Sequence, residues 1–510
     1  MEESHPTRRE ALKIGAAAAG GAMLTGLGVS AIGTARSATS LSSLARRLDG
    51  TLVLPPQSSY SSAAAVWNPR LHVNPKAIAF CRSTRDVKEV VRFAREREWP
   101  LAARSGRHSF EGYCNCTGIV ADVSQMSGVD IEQYNDSVTV GAGASNLQIF
   151  EKLVVGNSLG LPTGSCPSVG IAGLTLGGGL SRATRLRGML VDDLLSAKVV
   201  LPDGKSVVAS PKKNGDLFWA LRGGGGGNFG IVTSFTFRTH PTPPLYVLSC
   251  SFAWEKAAAM FDAWQKIFPY APPELASTTL TLNRSPDPTG EVRLKASITA
   301  QWWGTQADFA SLVEPLQAAG PQSFAIRQLP YSQAWAPDGC KVAANGAVTC
   351  QTLPAYDAAY PNYQKSDFFK EQIPAAGIEA LVNQVAEWPG GPGAYEGGVH
   401  VEALGPGSQA NAVKPGATAF VHRDTLFHIA YFSFWGQPES EQANIEWTDN
   451  TWQAMRPYAS GQAYQNYIDG RLSTWREAYY AGNWNRLRKI KRKYDPHNLT
   501  KFRQGVTPGR

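Results

Sequence analysis

Charge is scarce in this 510-residue chain. Asp, Glu, Lys and Arg together make up 18% of it, and methionine, cysteine and histidine number only six, seven and eight. The 49 basic and 41 acidic residues leave a net charge of +8, too thin for the basic stripe that nucleic-acid binding needs. The one dense run, Arg486, Arg488, Lys489, Lys491, Arg492 and Lys493, is interleaved with Leu487, Ile490 and Tyr494 at helical spacing, which reads as the solvated face of a helix. No Gly-Lys-Ser/Thr follows any glycine loop, so a P-loop is excluded. No Gly-x-Gly-x-x-Gly stands between a strand and a helix with a later acidic partner, which argues against a dinucleotide Rossmann domain. No Cys or His pair has zinc spacing with a second pair, so no metal site is expected. Glycines show no period of three, and a charge this low with 10% aromatic residues is not the composition of a disordered chain.

Glycine is what the chain has in excess: 50 residues, about one in ten, against a usual share of about 7%. Of these, 23 fall between Arg104 and Gly230 and six in the first 37 residues. Those first residues carry Thr7-Arg8-Arg9-Glu10-Ala11-Leu12-Lys13, which resembles a twin-arginine export signal, with Ala11 where that pattern prefers Phe. Ile14 to Ile32 follows without a charge, and small residues near Ala35 offer a cleavage site. Residues 1–37 therefore predict a signal peptide rather than a lasting membrane anchor, and a bacterial protein handed to the twin-arginine machinery and released outside the cytoplasm.

The length predicts two domains. Residues 38–75 read as a lead-in. Asp86 to Trp99 predicts a helix ended by Pro100. Strands are expected at Leu101–Ala103, Ile119–Val123 and Val138–Val140, then a helix at Leu147–Leu159. A hairpin turns at Asp203-Gly204, and a strand runs from Ile231 to Arg238. The proline cluster at residues 241–244 marks a boundary. Beyond it Val247–Phe252, Thr278–Leu282 and Val292–Ala300 predict strands, Ala257–Phe268 a helix, and Trp484–Tyr494 a last helix. Strands and helices without strict alternation indicate an α+β fold with no internal repeat. Six cysteines stand beside Cys166, at 81, 114, 116, 250, 340 and 350. Cys114 and Cys116 are too close to pair readily, Cys340 and Cys350 are placed to close a short loop, and the connectivity stays open.

The glycines gather in four loops, Arg104 to His108, Gly141 to Gly143, Gly164 to Gly179 and Gly223 to Gly230. Glycine lets backbone N–H groups approach a ligand, and successive N–H groups make a concavity for a pyrophosphate. Several such loops in one region suggest a large phosphate-bearing cofactor. Two of them hold reactive side chains, His108 and Cys166.

With these residues the chain resembles the berberine-bridge-enzyme-like flavoprotein oxidases of the vanillyl-alcohol-oxidase/PCMH superfamily. The likeness rests on Arg104-Ser105-Gly106-Arg107-His108, on Cys166-Pro167-Ser168-Val169-Gly170 with Gly177-Gly178-Gly179, and on Leu221-Arg222-Gly223 through Gly230. It rests also on Tyr464-Gln465-Asn466-Tyr467 and on Tyr494-Asp495-Pro496-His497-Asn498. It spans residues 70–510. It implies a PCMH-type FAD-binding domain over 76–245, a substrate domain with a large antiparallel sheet covered by helices over 246–455, and a returning segment over 456–510. It implies FAD bound twice, through His108 and Cys166. Arg104, Ser105, Gly106, Arg107 and Ser109 would cradle the cofactor, and Gly164, Val169, Gly170, Gly173 and Val232 would line it. Tyr467 is the implied base, with Tyr464 and Asn466 orienting the site. A phenol titrates near 10, so that role predicts cations or donors that lower its pKa. Leu180 stands where some relatives have a second tyrosine, which favours a single base. Val169 is the residue type that leaves O2 a path, which favours an oxidase.

The implied reaction passes hydride from a secondary alcohol, such as an oligosaccharide hydroxyl, to FAD, and O2 becomes H2O2. The alternative is oxidative tailoring or cyclisation of a secondary metabolite. A purely binding protein has no use for both His108 and Cys166. The expected partners are a small-molecule alcohol and O2, in a monomer or homodimer. Trp302, Trp303, Trp335, Tyr363 and Trp435 are candidates for stacking a substrate and, singly, better read as core. His400, Glu402, His422 and Arg423 are polar candidates near strands, each expected to be structural.

Overall fold

Alternation along Ile231–Arg238 puts that strand in the middle of a five-stranded antiparallel sheet, in the order Val129–Glu132, Ser137–Gly141, Ile231–Arg238, Leu194–Val200, Ser206–Ala209. Beside it lies a four-stranded sheet of Thr51–Val53, Ala77–Phe80, Ile119–Asp122 and Leu101–Arg104, parallel except for its first strand. These come from a computed structural model that describes residues 40–509 apart from 133–135, 288–289 and 352–359. The twin-arginine segment lies outside the described residues. No helix among the described residues is long and apolar enough to cross a membrane.

The helix Thr84–Glu96 starts at Ser83, whose side chain accepts from the Asp86 N–H, and buries Val87, Val90, Val91 and Ala94 against the four-stranded sheet's core. The segment before residue 75 supplies the first strand, Thr51–Val53, and two short helices, so it is integral to that core. The helix expected over 147–159 is shorter. It is α-helical over Asn146–Phe150, passes through one π-turn at Glu151–Val155, and Leu159 already belongs to a two-residue strand.

The second part is a seven-stranded antiparallel sheet, in the order Ser323–Leu329, Leu245–Phe252, Val292–Trp302, Leu275–Pro286, Glu396–Ala403, Phe427–Phe434, Asn362–Phe369. Period-two alternation separates its faces. Leu248, Leu280, Ile298, Val399, Val401 and Ile429 pack under the helices Ala257–Ile267, Gln306–Ala318 and Ala375–Ala386. The other face carries Thr279, Thr299, Gln301, His400, Glu402, His428 and Phe432 toward the glycine loops. The expected α+β fold is the observed one. Cys340 and Cys350 are joined, directly opposite in a small hairpin, and Cys114, Cys116 and Cys166 are free.

Candidate active site

A cavity of about 640 Å³ lies between the glycine loops and the polar face of the large sheet. Its floor is the loop after the strand Leu101–Arg104. Arg104 is buried there, its Nε 2.6 Å from Asp122 and its Nη1 donating to Asn115 Oδ1 at 2.9 Å. Its Nη2 has no hydrogen-bond partner among the described residues, which leaves an unspent donor in the cavity wall. Arg107 adopts φ +66°, a left-handed conformation that costs a side-chain-bearing residue energy and is typical of functional turns. Ser105 Oγ donates to the Ala142 carbonyl, and Ser109 Oγ accepts from the Tyr113 N–H.

Two loops meet backbone to backbone at Gly106 and Gly170. A Cβ on Gly106 would lie 2.1 Å from Gly170 N, and one on Gly170 would lie 2.2 Å from Ser105 Oγ. Only glycine permits that approach. Gly173 has nothing within 4 Å of its would-be Cβ, so it leaves open space beside the same wall. Gly164, Val169 and Val232 complete this side.

His108 and Cys166, on different loops, converge on one hydroxyl. His108 Nε2 is 2.9 Å from Ser168 Oγ, and Cys166 Sγ is 3.7 Å from it. Burial lowers the His108 pKa to about 3, so the imidazole is neutral, and burial raises the Cys166 thiol to about 11. Trp67, from the segment before residue 75, stacks on His108 with ring centroids 5.0 Å apart.

The opposite rim is the loop 463–470. Tyr464 OH accepts from the N–H groups of Gly179 and Leu180 and from Asn466 Nδ2, at 3.0–3.1 Å. Its oxygen is spent on holding the loop to the triple glycine, although burial raises its pKa to about 12. Asn466 also donates to the Leu174 carbonyl. Tyr467 stacks on Phe110 at 5.1 Å and lines the cavity. The lowered pKa expected of Tyr467 is not found. Burial, then the carboxyl of Glu402 and the phenol of Tyr464, push it well above 10, because the groups facing it are acids rather than cations.

Every residue singled out from the sequence for the cofactor or for catalysis lies on this one cavity. Of the polar candidates, His400 and Glu402 line it too. Glu402 Oε2 is buried with no hydrogen-bond partner among the described residues and lies 3.7 Å from His428 Nδ1. Arg423 is instead spent on a bidentate pair with Asp192, and His422 packs on Phe368 behind the site. Trp302 and Trp435 are core, and Tyr363 donates to Asp469. The cavity's aromatic wall is Trp67, Phe110, Phe432 and Phe434. The sequence offered no pattern that selected these four, or Ser168 and His428.

The FAD binding domain family matches residues 75–210, and the berberine and berberine-like family matches residues 463–507. The FAD-linked oxidoreductase YvdP of Bacillus subtilis is 30% identical over 472 residues, covering 91% of this chain and 99% of its own length. The chain belongs to the berberine-bridge-like FAD-linked oxidoreductases. Among solved structures, Physcomitrella patens BBE-like 1 superposes with a TM-score of 0.80 at 27% identity, over 92% of this chain and all of its own. A variant of Phl p 4, a glucose oxidase, does so with a TM-score of 0.77 at 25% identity, over 90% and 97%. The residues present fit the FAD this family carries: a paired-glycine cradle, a buried guanidinium donor with nothing to bind, and a cavity long enough to join both loops to the large sheet.

Proposed function

We propose that this berberine-bridge-like oxidoreductase is an exported oxidase of secondary alcohols on carbohydrate or similar hydroxyl substrates, with FAD attached through both His108 and Cys166. The observation that carries this reading is the meeting of His108 and Cys166 at Ser168, on the wall opposite Tyr467 and Glu402. Bound FAD supplies the hydride acceptor and the route of electrons to O2. The protein supplies the rest. Arg104 and the backbone of 104–109 hold the anionic part of the cofactor. Neutral His108 has a ring nitrogen free to be alkylated. Glu402 takes the substrate's hydroxyl proton as the adjacent C–H bond breaks, since its Oε2 is the unpartnered carboxylate oxygen at the cavity wall. Tyr467, held neutral, hydrogen-bonds the same substrate oxygen and places it. Leu180 adds no second phenol. Val169 lines the cavity, and its small side chain leaves O2 an approach. Wild-type Phl p 4 is a glucose dehydrogenase and an Ile-to-Val variant of it a glucose oxidase, which supports the weight given to a valine.

Thr279, Thr299, Gln301 and Gln364 bring hydroxyls and amides to one side of the substrate space, and Trp67, Phe110 and Phe432 bring rings to the other. A sugar ring, polar at its edge and apolar on its face, suits both. The same rings favour, as the second reading, an aromatic metabolite that is oxidised or cyclised.

Acid precipitation tests the attachment: the pellet should stay yellow, and a colourless pellet over a yellow supernatant would overturn it. A peroxide assay across oligosaccharides and aryl alcohols separates the two substrates. Glu402→Gln should lose turnover by roughly 10²–10⁴-fold with its flavin retained. Tyr467→Phe should lose less.

A further inference from the structure

Glu402 and His428 face each other across neighbouring strands. The register of Glu396–Ala403 with Phe427–Phe434 pairs them directly, so both side chains stand on the same face of the sheet. Glu402 lines the cavity, whereas His428 sits behind it, 1% exposed. Among the described residues neither ring nitrogen of His428 has a hydrogen-bond partner, nor has Glu402 Oε2, and Nδ1 is 3.7 Å from that oxygen. Unpartnered buried polar atoms are costly and rare. Two of them face to face at a reaction centre need little movement to pair.

The His428 ring is held from every side. Phe368, its partner on the other neighbouring strand, lies 5.0 Å away, Tyr467 5.5 Å and Tyr464 6.0 Å. The groups that bear on the pair are therefore few. Two other imidazoles are near: His400, two residues before Glu402 on the same face, also lines the cavity, and His422, whose pKa burial holds at about 4, stays neutral through the working range. Tyr464 and Tyr467 face Glu402 as neutral phenols, and Asp338 and Cys166 face Tyr467 from across the cavity. On the far side of Glu402 the paired residue is the uncharged Thr279.

We propose that His428 is a positioning residue for the oxidation, donating its Nδ1–H to Glu402 so that the carboxylate is both aimed at the substrate hydroxyl and kept ionised until the proton arrives. This rests on Glu402 as the proton acceptor. In the step the substrate O–H bond breaks and a carboxyl O–H forms, and His428 keeps its own proton throughout. A hydrogen bond to the charged form of an acid favours that form, so a variant without the donor should need a higher pH to reach its full rate.

The test is the pH profile of flavin reduction by substrate under anaerobic stopped flow, with covalent flavin content measured on acid-precipitated protein. His428→Leu should keep its flavin and move the acidic limb upward by about one pH unit, with about a tenfold loss of rate below the limb. His428→Gln, which keeps a donor, should restore the wild-type limb. His428→Met, also unable to donate, takes the place of His428→Leu if that variant fails to load flavin. An acidic limb that stays put in the non-donating variant, or moves equally in His428→Gln, overturns the proposal. Glu402→Gln separates the failures. If it keeps both rate and limb, Glu402 is not the acceptor and the whole reading falls. If it abolishes reduction while His428→Leu leaves the limb unmoved, only the role of His428 falls.

Discussion

Among the described residues His422 has no ionic partner. Its ring is fully buried, stacked on Phe368 at 4.3 Å, with Nδ1 against Gln462 Oε1 and Nε2 unpartnered. Burial pulls its pKa down to about 4, against about 6.5 for an unfolded histidine. Between those values the unfolded chain binds a proton that the folded chain does not. The contribution is thus present in full above about pH 6.5 and is lost as pH falls toward 4. At pH 5 the loss amounts to about 2 kcal/mol. Urea unfolding at pH 7 and pH 5 measures it: His422→Gln should narrow the gap between the two stabilities by about that much. An unchanged gap would mean that acid acts through other groups.

Among the elements, the C-terminal tail depends most on a single charge pair. Lys491, on the helix Trp484–Tyr494, is fully buried and donates to Asp495, to the Asn228 carbonyl and to Thr500. Asp495 in turn accepts from the N–H groups of Leu499 and Thr500. This knot presses Thr500 against Leu101 and sets Phe502 in the cavity wall. Breaking a buried pair by removing one partner costs about 3–5 kcal/mol, because the other charge is left alone. Asp495→Ala should therefore lower the urea midpoint and open residues 499–509 to limited proteolysis, and Asp495→Asn, which keeps an acceptor, should do less. A tail as resistant as wild type would show that the pair is not what holds it. The helix itself was legible in the sequence, because Leu487, Ile490 and Tyr494 recur on one face, and Trp484–Tyr494 is the span observed, but Lys491, expected on the solvated face, is buried with them. The helix over 147–159 was less so, since the π-turn at Glu151–Val155 leaves no mark in the hydrophobic period. The glycine loops announced one wall of the site, as their glycines stand where backbones touch. The other wall stayed hidden for a physical reason. Phe427–Phe434 is buried on both faces, so alternation does not tell which side chains look toward the cavity, and side-chain size points to Trp302 and Trp435 rather than to His428.

At the scale of the whole molecule, the cavity is a seam. The Arg104, Gly106 and Gly170 wall belongs to the part built on the two smaller sheets, the Glu402 and Phe432 wall to the seven-stranded sheet, and the Tyr464–Tyr467 loop ties one to the other through the triple glycine. A reversibly bound group that fills such a seam stabilises the folded state with the logarithm of its free concentration, by about 1.4 kcal/mol for each tenfold excess over its dissociation constant. That contribution vanishes on dilution for a reversibly bound cofactor, and the proposed export would leave the protein with no pool of FAD to restore it. Two covalent bonds remove the dependence on concentration. The melting temperature of the proposed doubly attached protein should thus be the same before and after exhaustive dialysis. The His108→Ala and Cys166→Ala single variants, each with one bond left, should also be insensitive to dialysis. The double variant should lose its colour on dialysis, melt lower, and recover its melting temperature progressively as FAD is added back. A wild-type melting temperature that falls on dialysis would mean that the flavin is held by the seam alone, with His108 and Cys166 as ordinary lining residues.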